Sequence, residues 1–190
     1  MSKLRVAIWG SGTGSNAKNL IQYFQNHPQV EIAWVLSNKP EALILQHAKD
    51  AGIPTRIIEK TEREDCAALI SEHHAHHIDW IILAGYLWKI PAAICQAYPD
   101  KIVNLHPALL PNYGGKGMYG HFVHEAVHAA GEKQSGITIH YVNEHYDEGN
   151  IIFQATCSIA STDGPKEIEQ KVRALEIQHL PSVIASLLES

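Results

Sequence analysis

The chain repeats one pattern along most of its length: a short apolar run rich in β-branched residues, then a segment with helical periodicity. Buried parallel strands have nearly continuous apolar sequences and are joined by helices, so this alternation is typical of an open α/β sheet. The pattern predicts strands at Leu4–Trp9, Val30–Leu36, Thr55–Ile58, Asp79–Ala84 and Ile102–Leu105. It predicts helices from after Gly14 to about Gln25 and over Pro40–Ala51, Glu62–His76 and Pro91–Tyr98.

Toward the C-terminus the pattern changes to two strand-like runs, Gly136–Val142 and Ile151–Cys157, joined by a short polar segment. Two such runs with a short connection predict an antiparallel hairpin. A last helix is expected to begin at Pro165, since proline suits the first turn, and a second helical piece is expected after Pro181. The predicted fold class is α/β: a doubly wound, mostly parallel Rossmann-like sheet with a C-terminal antiparallel hairpin and helices on both faces. We expect a single domain over residues 1–190.

The composition narrows the possible partners and the compartment. The chain carries 20 acidic and 15 basic residues, a formal net charge of −5, and no basic stripe, so no nucleic-acid partner is expected. No apolar stretch approaches the roughly 20 residues that a membrane-spanning helix needs, and no secretory signal is visible. The widely spaced Cys66, Cys95 and Cys157 predict free thiols in a reducing compartment. We therefore expect a cytoplasmic protein with no membrane partner.

A glycine-rich segment, Gly10–Asn16, follows the first predicted strand and opens the first predicted helix. Backbone amides and the positive end of the helix dipole would converge there, which favours binding of an anion. The segment is not a dinucleotide-binding fingerprint, because Ser15 stands where the last glycine is needed and no acidic residue ends the second strand. It also lacks the lysine of a Walker loop, so a monoester phosphate fits best. The alternative is a tight turn in which Ser15 or Asn16 only caps the helix.

Two polar side chains, Asn104 and His106, stand at alternate positions at the end of the predicted fifth strand and so point the same way. Ligands of open α/β sheets bind beyond the carboxyl ends of the strands, where both residues would lie. Asparagine can donate to an oxyanion and histidine can transfer protons near neutral pH, so the pair suits acyl transfer. Asp147, in the hairpin connection, could orient His106 and favour its protonated form. Alternatively, Asn104 and His106 are satisfied structural residues and Asp147 is an ordinary turn aspartate.

Four motifs carry a resemblance to a known family. They are G-T-G-S-N at Gly12–Asn16, L-A-G-Y at Leu83–Tyr86, N-L-H-P-A-L-L-P at Asn104–Pro111 and Y-D-E-G at Tyr146–Gly149. With them the chain resembles, over essentially its whole length, the phosphoribosylglycinamide formyltransferases, which belong to the formyltransferase superfamily. The related methionyl-tRNA formyltransferases and formyltetrahydrofolate hydrolases carry an additional domain, which we do not expect here.

The resemblance implies that a formyl group passes from 10-formyltetrahydrofolate to the amine of glycinamide ribonucleotide, with no metal required. It assigns catalysis to Asn104, His106 and Asp147. It implies that the ribonucleotide contacts Gly12, Thr13, Gly14, Ser15, Asn16 and Glu176, with the phosphate on the loop and the ribose hydroxyls on Glu176. The implied folate contacts are Arg63, Leu87, Trp88, Lys89, Ile90 and Asn104. The expected partners are these two small molecules, and the expected state is a monomer or a homodimer.

Glu176 is also singled out by its place on the last predicted helix. Ile168, Val172 and Leu175 form the apolar stripe of that helix, and Glu176 follows Val172 by one turn at the edge of the same face. A carboxylate in that position needs a polar partner. The alternative is a boundary glutamate whose carboxylate turns toward water.

Several segments depart from the family pattern or suggest another function. Gly114–Gly120 is unusually rich in glycine and predicts a mobile flap near the site, and Glu148 stands where the family commonly has glycine. His124–His128 matches the H-E-x-x-H motif of zinc proteases, although no third ligand is obvious downstream. The cluster His73–His77 lies at the end of a predicted helix, where histidines suit the dipole, and is expected at the surface.

Three classes of function are compatible with these features. The first is the formyltransferase, the second is a related folate-dependent enzyme that acts on another amine or on water, and the third is a phosphate-binding module without catalysis. A binding module has no need of Asn104, His106 and Asp147 beside an anion-binding loop, so these three residues favour an enzyme.

Overall fold

The computed structural model describes residues 2–189, so Met1 and Ser190, the two ends of the predicted domain, lie outside the described residues. The strands are β1 (Leu4–Trp9), β2 (Val30–Ser37), β3 (Thr55–Ile57), β4 (Trp80–Leu83), β5 (Ile102–His106), β6 (Gln134–Tyr141) and β7 (Ile151–Ser158). The α-helices are α1 (Ser15–Phe24), α2 (Leu43–Asp50), α3 (Ala67–Ala75), α4 (Ala92–Ala97), α5 (His121–Ala129) and α6 (Pro165–Leu188), and a 3₁₀ helix covers Lys60–Arg63.

Within residues 2–189 the strands form one sheet in the order β3-β2-β1-β4-β5-β6-β7. The first five strands are parallel, whereas β6 pairs antiparallel with β5 and β7 pairs antiparallel with β6. The predicted fold class, including the C-terminal hairpin, is therefore confirmed. From β1 the chain first adds β2 and β3 on one side of β1, and it then adds β4 on the other side. Because the order of the strands reverses at this point, a crevice opens at the carboxyl ends of β1 and β4.

Helices cover both faces of the sheet. On one face α1, α2, α5 and α6 enclose a core that includes Leu20, Val123 and Ile184. On the other face α3 and α4 contribute Leu69 and Ile94 to a second core. The central strands are buried on both sides, which is why their sequences are nearly continuous apolar runs.

The predicted break near Pro181 is wrong, because α6 continues through this residue. Proline has no N–H, so the carbonyl of Ile177, one turn earlier, loses its usual helical partner. The side-chain amide of Asn19 on α1 donates to that carbonyl at 2.8 Å and replaces the missing bond. Pro181 itself is buried, so packing also holds the helix intact. Among residues 2–189, no helix is both long enough and apolar enough to cross a membrane.

The helix predicted over Glu62–His76 is also wrong in part, because it divides into the 3₁₀ helix and α3. The carboxylate of Glu62 accepts two hydrogen bonds from Arg56, at 2.8 and 2.7 Å, and a third from the backbone N–H of Glu59. Asp65 then accepts the N–H of the first residue of α3 at 3.2 Å. The side chains of Glu62 and Asp65 thus accept backbone N–H groups at the start of the 3₁₀ helix and at the start of α3, respectively. For this reason the 3₁₀ helix does not continue into α3.

The surface position expected for the His73–His77 cluster is wrong for His73, which is fully buried. Its Nε2 accepts a hydrogen bond from the indole N–H of Trp9 at 3.2 Å, and its Nδ1 donates to the carbonyl of Leu69 at 2.7 Å. Burial lowers the pKa of His73 to about 4, so this imidazole is neutral at neutral pH. His74 and His77 are exposed, as expected.

Candidate active site

A cleft of about 550 Å³ opens at the crevice formed by the carboxyl ends of β1, β4 and β5. The predicted site residues that line it are Gly12–Asn16, Leu87–Ile90, Asn104, His106, Asp147 and Glu176. The fold therefore brings the predicted ribonucleotide, folate and catalytic residues into one cavity, with the exception of Arg63. Their individual roles remain predictions.

The glycine loop passes directly into α1 at one end of the cleft. Gly14 is the N-cap of the helix and has φ 71°, in the left-handed region that favours glycine. A Cβ at Gly14 would lie 2.6 Å from the Cα of Ile44, so α2 also excludes a larger residue there. Since no side chain caps the helix, Ser15 and Asn16 lie in its first turn, contrary to the alternative in which one of them is the cap. The first amides of α1 are thus available to an anion.

Glu176 on α6 lines the cleft beside the glycine loop and contacts Asn16. The side-chain amide of Asn16 donates to Oε2 of Glu176 at 2.9 Å, and burial raises the pKa of this carboxyl group above its ordinary value. Arg173, one turn earlier on α6, also lines the cleft and supplies a positive charge near the loop. Arg173 was not among the predicted site residues, although its spacing of three residues from Glu176 places both on one helical face.

The opposite end of the cleft is formed by the loop that follows β4. The hydroxyl of Ser11 accepts the N–H of Leu87 at 2.9 Å, and the N–H of Ser11 donates to the carbonyl of Gly85 at 3.0 Å. These two bonds tie the loop to Ser11, within the glycine-rich segment. The ring of Trp88 lines the cleft and contacts the ring of Tyr86 edge to face, with centroids 6.4 Å apart. This end therefore offers flat apolar surfaces rather than fixed polar groups.

Arg63 lies next to the cleft rather than in its wall. Its guanidinium is 5.1 Å from the centre of the Trp88 ring, in the geometry of a cation–π contact. With Lys60 and Lys89 it lines a separate hollow of about 320 Å³ that adjoins the cleft through Lys89. The structure thus places Arg63 behind Trp88, where it can act on a ligand of the adjoining hollow.

Asn104, His106 and Asp147 form a further part of the cleft wall. His106 is 4% exposed, and its Nε2 donates to the carbonyl of Tyr113 at 2.8 Å. Its Nδ1 lies 3.7 Å from Oδ2 of Asp147. Because a carbonyl oxygen only accepts hydrogen bonds, Nε2 carries a hydrogen, and Nδ1 is the ring nitrogen that faces Asp147.

Asp147 is held over this site by the hairpin connection in a backbone conformation that is uncommon for residues other than glycine. Its φ is 56°, in the left-handed region, and its Oδ2 accepts the backbone N–H of Gly115 at 2.8 Å. Strained backbone of this kind persists only where surrounding contacts enforce it, and it concentrates at functional sites. Gly115 belongs to the predicted flap, and residues 115–120 line the cleft, so the flap and Asp147 form one wall.

His140, which was not among the predicted site residues, is a buried histidine that also lines the cleft. It lies opposite Asn104 in the β5–β6 pairing, and its Nε2 is 3.1 Å from Nδ2 of Asn104. A signal was present, because Thr138 and His140 alternate with isoleucines along β6 just as Asn104 and His106 interrupt β5.

The H-E-x-x-H motif does not form a metal site in this fold. His124 is buried and lines the cleft, whereas His128, one turn later on α5, is exposed and does not line the cleft. Over residues 2–189, no three histidine, cysteine, aspartate or glutamate side chains converge in a way that could hold a metal ion.

Comparison with known proteins identifies the family. Residues 4–184 match the family model described as formyl transferase. The chloroplastic phosphoribosylglycinamide formyltransferase of Arabidopsis thaliana is 35% identical over 191 residues, an alignment that covers 97% of this chain and 65% of that protein. The phosphoribosylglycinamide formyltransferase of Bacillus subtilis is 35% identical over 189 residues, covering 97% of this chain and 94% of that one. The chain thus spans somewhat less than two thirds of the plant protein but nearly all of the bacterial one.

A solved structure agrees in fold over almost the entire chain. The crystal structure of phosphoribosylglycinamide formyltransferase from Anaplasma phagocytophilum has a TM-score of 0.89 at 31% identity, covering 99% of this chain and 88% of that one. Both the sequence match and the arrangement of strands and helices therefore lead to the same assignment: the chain belongs to the formyl transferase family.

Proposed function

We propose that this protein transfers the formyl group of 10-formyltetrahydrofolate to the amine of glycinamide ribonucleotide, a step in the synthesis of purine nucleotides. The observation that carries the proposal is a single cleft that joins an anion-binding helix start to Asn104, His106 and Asp147. A phosphorylated substrate bound at one end would extend its other end toward an oxyanion donor and a proton carrier.

The ribonucleotide is proposed to bind with its phosphate on the first amides of α1, at Gly14, Ser15 and Asn16. The helix dipole favours a phosphate there, and Arg173 adds a positive charge. The buried carboxyl group of Glu176, which Asn16 already orients, is positioned to accept hydrogen bonds from ribose hydroxyls. This orientation directs the glycyl amine toward Asn104.

The folate is proposed to occupy the opposite end, against residues 87–90. Trp88 and Tyr86 offer ring faces to a flat heterocycle. The positively charged hollow beside Arg63 suits a carboxylate-bearing part of the folate.

In the proposed reaction the amine attacks the formyl carbon, a C–N bond forms, and the carbonyl electron pair moves onto the oxygen. Asn104 donates to this oxyanion through its amide, and protonated His106 stabilises it from Nδ1. Collapse of the intermediate breaks the bond between the formyl carbon and N10 of the folate. The amine loses one proton and N10 gains one. Asp147, 3.7 Å from Nδ1 of His106, sustains the charge on the imidazole and relays protons through water.

The direct test is to incubate the purified protein with glycinamide ribonucleotide and 10-formyltetrahydrofolate and to quantify both products. Equal amounts of formylated ribonucleotide and tetrahydrofolate are expected. Formate released without formylated ribonucleotide would indicate hydrolysis and contradict the proposal. Ribonucleotide binding without any turnover would contradict it in favour of a binding module.

We further propose that residues 1–190 act as one formyltransferase domain in the cytoplasm, with these two small molecules as partners and no nucleic-acid or membrane partner. The net charge of −5 disfavours binding to nucleic acid and to anionic lipid. The protein is expected to be a monomer or a homodimer, which sedimentation equilibrium would distinguish.

A further inference from the structure

His140 is a buried imidazole in the cleft for which the proposed mechanism has no role. It is 2% exposed and lies on β6, opposite Asn104 on β5. Both ring nitrogens have partners: Nδ1 is 2.8 Å from the carbonyl oxygen of Tyr141, and Nε2 is 3.1 Å from Nδ2 of Asn104.

These partners determine which nitrogen of His140 carries the hydrogen. The carbonyl of Tyr141 only accepts, so Nδ1 must be the donor. In the neutral ring Nε2 then has a free lone pair and accepts a hydrogen bond from the amide of Asn104. Burial lowers the pKa of His140, so the neutral form prevails at neutral pH.

An asparagine amide has two orientations that exchange its oxygen and its nitrogen. A neutral His140 that accepts at Nε2 permits only the orientation with the nitrogen of Asn104 toward β6. One N–H of that nitrogen is used by His140, and the second remains free to donate within the cleft. The opposite orientation would place an acceptor oxygen against a lone pair.

Asp147 and His106 are the charged and titratable groups that act on His140. Oδ1 of Asp147 lies 3.7 Å from Nε2 of His140, while Oδ2 of the same carboxylate lies 3.7 Å from Nδ1 of His106. A neutral His140 has no hydrogen on Nε2 to donate to Asp147, so the carboxylate is left to His106. A protonated His140 would instead donate to Asp147 and would no longer accept from Asn104.

We propose that His140 is a positioning residue: as a neutral acceptor it fixes the amide of Asn104 so that the free N–H donates to the formyl oxygen, and it reserves Asp147 for His106. This inference rests on the proposed formyl transfer, in which Asn104 donates to the oxyanion. His140 acts through Asn104 and does not touch the reacting atoms.

A double-mutant cycle tests this role. His140→Phe removes the acceptor, and we expect kcat to fall about 10- to 100-fold. This decrease should not exceed the one caused by loss of an oxyanion donor, and the KM for the ribonucleotide should stay unchanged. His140→Gln, whose side-chain oxygen can accept from Asn104, is expected to recover most of kcat. In an Asn104→Ala background, measured under single-turnover conditions, His140→Phe should have no further effect. An equal loss in both backgrounds would overturn the proposal.

A spectroscopic measurement on the wild-type protein avoids any dependence on how the variants fold. With ¹⁵N labelling, we expect a scalar coupling across the hydrogen bond between Nδ2 of Asn104 and Nε2 of His140, and an unprotonated Nε2 at about pH 7. A protonated Nε2 with no coupling would overturn the proposal.

The outcomes also separate this inference from the proposed function. Absence of formyl transfer by the wild-type protein refutes the proposed function itself. Wild-type formyl transfer combined with full activity of His140→Phe refutes only the role of His140.

Discussion

The two ends of the cleft are stabilised in different ways. At the ribonucleotide end, polar side chains distant in sequence are joined by hydrogen bonds, such as the 2.9 Å bond from Asn16 to Glu176. At the folate end, rings pack against each other, and Trp88 lies between Tyr86 and the guanidinium of Arg63. A phosphate requires fixed donors and positive charge, whereas a flat heterocycle requires flat apolar surfaces. Because Asn104, His106 and Asp147 line the same cleft without belonging to either end, single substitutions should separate the binding of each substrate from the chemistry.

The largest effect is expected from His106→Ala. We expect kcat to fall about 10³-fold, because the imidazolium that stabilises the oxyanion is lost, while the Kd for the ribonucleotide changes little. His128→Ala, which alters an exposed histidine outside the cleft, is the matched control. Steady-state kinetics and calorimetric titration check both quantities. Loss of ribonucleotide binding with normal turnover of the bound substrate would show that His106 belongs to the ribonucleotide end.

The next largest effect is expected on the free energy of unfolding and involves His73, which supports the folate end. His73 accepts from the indole of Trp9, whose ring is 5.3 Å from that of Tyr86. Burial lowers the pKa of His73 from 6.5 to about 4, so below pH 6.5 the unfolded chain takes up a proton that the folded protein does not. Stability therefore falls as the pH drops from 6.5 toward 4, by up to about 3 kcal/mol.

His73→Gln retains an acceptor for the indole but cannot titrate, so the free energy of unfolding should depend less on pH between 4 and 6.5. Urea unfolding at a series of pH values measures this slope, and His74→Gln, at an exposed neighbour, is the control. The same slope in His73→Gln and the wild type would show that this histidine is not the titrating group.

A smaller effect, confined to the ribonucleotide end, is expected from Ser15→Asp. A carboxylate in the first turn of α1 repels a phosphate, and we expect about a 100-fold increase in the Kd for the ribonucleotide. Aspartate is well tolerated at a helix start, so the fold should not suffer. Ser15→Asn is the neutral control. Unchanged affinity for the ribonucleotide would show that the phosphate does not bind at this loop.

The smallest effect, confined to the folate end, is expected from Trp88→Ala. Loss of one aromatic face should raise the folate KM about 10-fold and leave the Kd for the ribonucleotide unchanged. Trp88→Phe, which keeps a ring, should lie close to the wild type. A change in ribonucleotide affinity alone would mean that the two ends are assigned the wrong way round.

Local sequence signals predicted the elements that frame the cleft. The predicted first strand has the bounds of β1, because a continuous apolar run is followed at once by a glycine-rich turn. The helix starts and breaks that depend on distant contacts were not predictable. The continuity of α6 at Pro181 depends on Asn19, and the division of the third helix depends on Arg56 and Glu62.

Site residues were predictable where the sequence of a single strand identified them. They were not predictable where the identification depended on how two strands pair. Asn104 and His106 are visible in the sequence as polar interruptions of a buried strand. His140 has a similar alternation, but its contact with Asn104 follows from the antiparallel register of β5 and β6, which a single sequence does not contain. The position of Arg63 behind Trp88 likewise depends on the separate start of the 3₁₀ helix.

The orientation of the ribonucleotide is best determined by a crystal structure of the protein soaked with glycinamide ribonucleotide. We predict the phosphate within hydrogen-bonding distance of the amides of residues 14–16, the ribose hydroxyls at Glu176 and the glycyl amine directed at Asn104 and His106. A phosphate bound in the hollow beside Arg63, or an amine that points away from Asn104, would contradict the proposed site.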